Sequence, residues 1–314
     1  MANSFGDKWT FTSFGESHGL AIGGVLDGVP AGLHINFAMI REELDRRAGK
    51  GIVGASTRAT NEPDEIEWLS GVLELTNEGV KELTTLGTPI AFIIRNKDAR
   101  PEDYEWLKHT YRTGHADKTY EQKYGIRDWR GGGRASARET AGRVVAGCIA
   151  KQVLRAKGIA IHARLIQVGA ETDPDKFAQT IAAYQKDGDS IGGIIECTIS
   201  GVPAGTGEPI FNKLQAELAF AIMSINACKG FEYGTGFGGV TKAGSEINHI
   251  SGGMAGGIAD GTDIVFRCVF KPTPSTPKAG VKGRHDACVA TRAVPVVEAM
   301  TALVLVNRCL RHQQ

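Results

Sequence analysis

Gly15-Glu16-Ser17-His18-Gly19 has the G-x-S-x-G spacing of a serine nucleophile raised on a tight turn. That chemistry needs a strand before the serine, a helix after it, and a sheet already laid down beneath it. Only sixteen residues precede Ser17, and Leu20 to Pro30 is an apolar run closing in a Gly/Pro turn, which reads as a strand. The serine hydrolase reading therefore recedes, and His18 becomes the residue to explain. A single histidine is as readily a satisfied structural side chain as a proton donor, so its meaning depends on what surrounds it.

Arginines stand in an unusual setting. Arg46 and Arg47 close an amphipathic stretch, and Arg112 precedes Thr113-Gly114-His115-Ala116-Asp117. Arg134 and Arg138 flank Ala135-Ser136-Ala137, and Arg284 opens Arg284-His285-Asp286. Beside glycines or at a helix start, guanidinium forks and bare backbone N–H groups bind carboxylate and phosphate. Any one of them could equally be a solvated surface group; the functional reading rests on their convergence with His18, His115 and Asp286. Gly131-Gly132-Gly133 leads into Arg134-Ala135-Ser136-Ala137-Arg138-Glu139-Thr140, an anion cradle at a helix N-terminus. It has neither the Lys-Ser/Thr of a P-loop nor the G-x-G-x-x-G of a dinucleotide fold. Gly252 to Gly257 allows either close approach to a flat ligand or a glycine-rich hairpin.

The elements that must position these residues follow from periodicity. Strands are expected over Thr88 to Asn96, Ala160 to Val168, Ser190 to Ser200 and Thr262 to Phe270, all rich in Ile and Val. Helices are expected over Phe37 to Arg47, Arg134 to Lys157 with Gly158 as its stop, Phe211 to Asn226, and Pro295 to Arg311. Strands in runs with long helices apart favour α+β over βαβ alternation. Gly28-Val29-Pro30-Ala31-Gly32 is echoed by Gly201-Val202-Pro203-Ala204-Gly205, each ending a strand and each followed by a helical stretch. This is either a recurring turn or an internal duplication within residues 1–314, with its divide near 160–190. The 36 Lys and Arg against 35 Asp and Glu leave a net charge of +1, so no global basicity points to nucleic acid. Six scattered cysteines show no disulfide framework and no zinc spacing. The first residues carry no apolar signal region, and no apolar run is expected to reach membrane-spanning length, which points to a reducing cytoplasm.

Three separated stretches, taken together, resemble the chorismate synthase family. They are Gly15-Glu16-Ser17-His18-Gly19 through Asp27-Gly28-Val29-Pro30-Ala31-Gly32, Gly131 through Ala141, and Gly283-Arg284-His285-Asp286-Ala287-Cys288 through Ala299. Gly114-His115-Ala116-Asp117, Met223-Ser224-Ile225-Asn226-Ala227 and Lys271-Pro272-Thr273 fall between them in family order, so the resemblance covers essentially the whole chain. It implies a β-α-β sandwich with internal pseudo-two-fold duplication, a homotetramer, and conversion of 5-enolpyruvylshikimate 3-phosphate to chorismate and phosphate. It also implies reduced FMN used without net redox change, with NADPH as a possible reductant, and no metal. By the same resemblance His18 serves the leaving phosphate, His115 the reduced flavin, and Asp286 relays a proton. Arg134, Ala135, Ser136, Asn226, Ala227, Gly256, Lys271, Pro272, Thr273, Pro274, Ser275 and Arg284 line up with flavin contacts. Arg47 lines up with a position for substrate or nicotinamide nucleotide, and Arg112 and Arg138 join it as candidate anion ligands. Ser17 becomes a hydrogen-bonding neighbour. A serine hydrolase and a non-catalytic flavin- or anion-binding protein are the competing classes. Departures from the family pattern are Ala135, where serine is usual, and Ala48 to Asn61, where the second basic residue could be Lys50 or Arg58. The chain is also short near 170, 248 and 277, through trimmed loops or through residues missing from the sequence.

Overall fold

The computed structural model describes residues 3–56, 60–77, 80–247, 250–281 and 284–311. The first half runs through Ser4–Phe5 (β1), Thr10–Phe14 (β2), Ala21–Asp27 (β3), His34–Ile35 (β4), Phe37–Ala48 (α1), Ile66–Ser70 (β5), Val72–Asn77 (β6), Val80–Thr85 (β7), Ile90–Arg95 (β8), Asp117–Tyr124 (α2) and Thr140–Ala156 (α3). The second runs through Ala160–Val168 (β9), Phe177–Lys186 (α4), Gly193–Ser200 (β10), Leu214–Met223 (α5), Cys228–Tyr233 (β11), Gly244–Ile247 (α6), Met254–Ala255 (β12), Ile258–Ala259 (β13), Ile264–Phe270 (β14) and Ala290–Arg311 (α7).

Beside a three-stranded sheet, β4-β7-β6, and the pair β12-β13 lie two larger antiparallel sheets, ordered β1-β2-β3-β8-β5 and β11-β14-β10-β9. Read in opposite directions they have the same plan. In each, a strand ending in GVP (β3, β10) lies between the strand before it (β2, β9) and the last strand of its half (β8, β14). The echo extends to atoms. Gly28 and Gly201 both have left-handed φ, at 85° and 76°, and a Cβ on either would collide with a neighbouring carbonyl, that of Lys8 or Gly158. Gly32 N donates to Thr85 O at 2.8 Å, and Gly205 N to Ala259 O at 2.9 Å. A recurring turn alone does not account for matching neighbours, so the internal duplication is the better description of the fold.

Helices α3 and α7 pack on each other between the sheets, α3 against β2 and β3, and α7 against β9 and β10. This is a β-α-β sandwich of α+β class. Their close approach is set by Gly147, where a Cβ would run into Ala299. Across this core Lys151 Nζ on α3 donates to Glu43 of α1 at 2.8 Å and to Glu298 of α7 at 2.5 Å, while Glu298 accepts from Ala163 N of β9 at 2.9 Å. Four elements are thereby tied through one buried ion cluster.

Several boundaries differ from the periodicity reading. The long helix begins at Thr140, because Gly133–Ala135 and Ala137–Glu139 form 3-10 turns on either side of an extended Ser136. Its stop is as expected, with Gly158 left-handed and Ile159 N bonded back to Leu154 O at 3.0 Å. The Phe211 to Asn226 stretch shortens to Leu214–Met223. Helix α7 starts at Ala290, not Pro295; the bond from Thr291 Oγ1 to Cys288 O at 2.8 Å holds an extra turn ahead of the proline. The expectation that no apolar run reaches membrane-spanning length is also corrected. Ala290–Leu310 passes by length and composition with a mean hydropathy of 1.6, and 83% of its apolar window is buried inside the molecule, as the core helix between the sheets.

Candidate active site

A cleft of about 1300 Å³ opens where the end of β2, the 3-10 turns before α3, the start of β11 and the segment after β14 meet. His115, Asp286, Arg134, Ala135, Ser136, Asn226, Ala227, Lys271, Thr273, Pro274, Ser275, Arg284, Arg47, Arg112 and Arg138 all line it, drawn from both halves of the chain. Gly256 and Pro272 do not. Gly256 lies in the turn between β12 and β13, so the glycine-rich run from Gly252 is a hairpin; Pro272 packs instead beside Gly192.

His18 is 4% exposed and stands just behind the cleft wall. Its ring meets the Tyr104 ring edge-on at 4.8 Å and lies over Gly131, and both of those residues line the cleft. Ser17 Oγ is 3.0 Å from His18 Nδ1 and donates to Gly131 O at 3.3 Å. With its single proton committed to that carbonyl, the hydroxyl accepts from Nδ1–H, which leaves Nε2 as the second proton site. A serine oriented in this way, 1% exposed, is a prop for the histidine and not a nucleophile.

The basic groups fall into two sets. One is neutralised by carboxylates. Arg47 Nη2 meets Asp64 at 2.5 Å, and Arg138 binds the other oxygen of the same carboxylate. Burial pushes Asp64 up, but the two guanidinium charges outweigh it and leave it below its usual range, while burial lowers Arg47 despite Asp64. Asp64 has φ 47°, a left-handed position rare outside glycine. Arg292 forks onto Asp286 at 2.8 and 2.6 Å, and Ser56 N adds a third bond at 2.9 Å. Arg284 pairs with Asp98, and Arg112 forks onto Asp117 at 2.9 and 2.7 Å. In the second set the hydrogen bonds run to neutral acceptors. Arg134 donates to Gly15 O at 3.3 Å, Ser13 O at 3.2 Å and Ser13 Oγ at 2.6 Å, and Lys271 Nζ to Gly114 O at 3.0 Å. Burial, helped by Lys229, lowers Lys271. These cations keep their charge for something else.

Near them the backbone is strained and polar atoms are left over. Ala227 has φ 67°, held in place by the bond from Lys271 N to its carbonyl at 3.0 Å. Asn226 Nδ2 donates to Ala135 O at 3.0 Å, but its Oδ1 and the Ser275 hydroxyl are buried without a partner among the described residues. Buried orphans of this kind are costly unless a ligand satisfies them. Retained cations, orphaned hydrogen-bonding atoms and glycine-bared backbone suit an anionic, flat, heteroatom-rich group such as a reduced flavin.

Asp64 and Asp117 were not assigned roles by sequence reasoning. The signals for them were the Glu62-Pro63-Asp64 turn and the spacing of Asp117 two residues after His115. Lys50 turns away to Asp45 at 2.6 Å, and Arg58 lies outside the described residues, as do 248–249 and 282–283 beside two of the short loops. The short connection near 170 is a tight turn, with Val168 and Glu171 exchanging backbone bonds of 2.9 Å. Among the described residues no group of three or more His, Cys, Asp or Glu is placed to hold a metal ion.

Comparison with known proteins gives one answer. The family model for chorismate synthase matches residues 9–310. The chorismate synthase of Christiangramia forsetii is 45% identical over 99% of this chain and 98% of its own, and that of Phocaeicola vulgatus 44% over 98% and 97%. The first alignment spans 360 positions against 314 residues, so at least 46 of them are gaps in this chain. A solved structure described as a crystal structure of chorismate synthase superposes with a TM-score of 0.76 at 30% identity, covering 98% of this chain and 93% of that one. None of these matches supports a serine hydrolase.

Proposed function

The chain belongs to the chorismate synthase family, and from that premise we propose that its cleft eliminates phosphate from 5-enolpyruvylshikimate 3-phosphate, giving chorismate, with reduced FMN bound beside the substrate. The observation that carries the reading of the site is the division of its basic groups. Arg134 and Lys271 keep their charge next to strained Ala227 and the orphaned atoms of Asn226 and Ser275, and these residues, with Ala135, Ser136, Thr273 and Pro274, would hold the flavin. Bound there, reduced FMN would supply transient electron density to the breaking C–O bond with no net redox change.

The chain's own residues bind, orient and move protons. The substrate carries two carboxylates and a phosphate, and Arg47, Arg112 and Arg138 line the cleft with their charge already shared with Asp64 and Asp117, so they would add orientation more than net charge. Phosphate is a poor leaving group until its charge is neutralised. His18, held at Nδ1 by Ser17, donates from Nε2 as phosphate departs. Its burial against Tyr104 keeps bulk water from competing for that proton. His115 lines the same cleft and would meet the flavin through Nε2. Asp286 would relay the proton taken up on the flavin side; among the described residues its Oδ2 accepts a single bond, from Arg292, and has a second lone pair for that proton. The reading extends to NADPH as reductant at Arg47 and to a cytoplasmic homotetramer. Six free cysteines fit a reducing compartment, and Phe211, Phe220 and Met223, exposed around α5, fit burial against another copy.

The site reading is tested by titrating FMN into the protein with and without substrate. Because the two ligands share one cleft and stack, FMN should bind at least about tenfold more tightly with substrate present. Equal affinity in both titrations would contradict a shared cleft.

A further inference from the structure

We propose that Asp117 is a positioning residue for His115, holding its Nδ1–H so that Nε2 is the nitrogen presented to the cleft. Asp117 begins α2, is 3% exposed, and has four close polar contacts. Three come from Arg112, from its backbone N at 3.0 Å, Nε at 2.9 Å and Nη2 at 2.7 Å; the fourth partner is His115 Nδ1, 2.9 Å from Oδ1. Arg112 Nη2 also lies 3.1 Å from Nδ1. A guanidinium can only donate and a carboxylate can only accept, so this nitrogen chooses between accepting from Arg112 and donating to Asp117. Nη2 carries two hydrogens and reaches Oδ1 as well, but the carboxylate is the closer partner of Nδ1, at 2.9 Å against 3.1 Å, and carries the negative charge, so the ring donates.

Two further contacts fix the orientation. A Cβ on Gly132 would collide with His115 Cε1, so the bare backbone there seats the ring. Lys271 Nζ anchors the Gly114 carbonyl just before it at 3.0 Å. Arg112, Asp117 and Lys271 are the charged groups bonded to this turn. The hydrogen bonds from Arg112 and His115 outweigh the burial of Asp117 and hold it far below the usual carboxylate range, so it remains a pure acceptor at any working pH. Which ring nitrogen carries the proton is set by the bond the other makes. Arg112 is thereby cast as the clamp on Asp117, with only part of its fork left for a substrate anion.

The consequence for catalysis rests on the reading that His115 faces the flavin, so the tautomer is read on flavin-free protein and turnover separately with reduced FMN and substrate. Nitrogen-15 NMR of His115 should show the neutral ring protonated at Nδ1. Asp117→Ala, which removes the acceptor, should lose that tautomer in favour of Nε2–H, and Asp117→Asn, which keeps a carbonyl oxygen, should retain it. Turnover should fall by about 10- to 100-fold in Asp117→Ala, the range seen when the partner orienting a functional histidine is removed, and by less in Asp117→Asn. A wild-type ring protonated at Nε2, or an Asp117→Ala protein whose ring keeps Nδ1–H, overturns the proposal; the first needs no variant to fold. Should His115→Ala leave FMN affinity unchanged while the tautomer results hold, the flavin reading of the site fails and the positioning role stands.

Discussion

At the scale of single residues, the chemistry depends on how closely glycine lets two histidines approach the backbone. Gly131 has φ 62°, and a Cβ there would strike the His18 ring; Gly132 does the same for His115. Gly131→Ala should therefore behave like a His18 variant. We expect His18→Ala to slow turnover by roughly 10²- to 10⁴-fold with FMN affinity intact, the range of a lost general acid, and Gly131→Ala to approach it. Ser17→Ala removes the hydroxyl's bonds to His18 and Gly131 but no reacting group, and should cost less than about tenfold. Chorismate release by the three variants under the same anaerobic conditions checks the order; a dead Ser17→Ala beside an active His18→Ala would reopen the nucleophile reading. Much of this site was legible as motif, since Gly131 to Thr140 and Arg284 to Asp286 both reach the cleft. What was not legible is which arginines are neutralised. Asp64 and Asp117 look like ordinary turn and helix-start residues in sequence, and only the folded chain shows that each carboxylate absorbs guanidinium charge.

At the scale of elements, the strands read well because apolar residues alternate along them and one face is buried, as with Ile264, Phe266, Cys268 and Phe270 of β14. Helix starts read less well. Arg134 to Glu139 has helical composition, but Ser136 is extended and its hydroxyl accepts from Arg138 N at 3.4 Å, which divides the approach to α3 into two 3-10 turns. That division exposes backbone along the cleft that a continuous helix would have hidden. The packing of α3 on α7 gives a direct check. Gly147→Val forces side-chain atoms into Ala299 and should destabilise by about 1–3 kcal/mol, the usual cost of overpacking. At the other end of the first half, Asn36 caps α1 by accepting from Met39 N at 3.0 Å, and Asn36→Ala should cost about 1 kcal/mol. Thermal melts that rank Gly147→Val below Asn36→Ala would support this packing; an unchanged melt for Gly147→Val would mean the helices do not touch there.

At the scale of the whole molecule, the two halves are joined by charge as well as by apolar contact, and this sets the response to pH. Asp64, Asp117 and Glu298 are all held below their ordinary values, burial being outweighed in each by cationic partners. A carboxylate depressed in the folded state contributes stability that is complete above its unfolded value, about 4, and is lost as pH falls through its folded value. Lys151 is raised, because Glu298 and Glu43 outweigh its burial, so its contribution is complete below about 10.4 and is lost as pH climbs beyond it. Stability should be flat from about pH 5 to 9 and fall steeply in acid. Asp64→Asn leaves Arg47 and Arg138 buried against a neutral partner and should cost about 3 kcal/mol at neutral pH while making the acid limb shallower. An acid limb of unchanged slope would remove Asp64 from this account.

The same duplication that builds the core brings residues from both halves to one cleft, and the central claim is that this cleft carries out a flavin-dependent elimination. The most direct measurement is incubation of the protein with 5-enolpyruvylshikimate 3-phosphate and reduced FMN under strict exclusion of oxygen, following chorismate and phosphate together. The account predicts equal amounts of the two products, many turnovers for each flavin, and a flavin that is still reduced at the end. Phosphate released at the same rate without flavin, or no phosphate released with it, would contradict it.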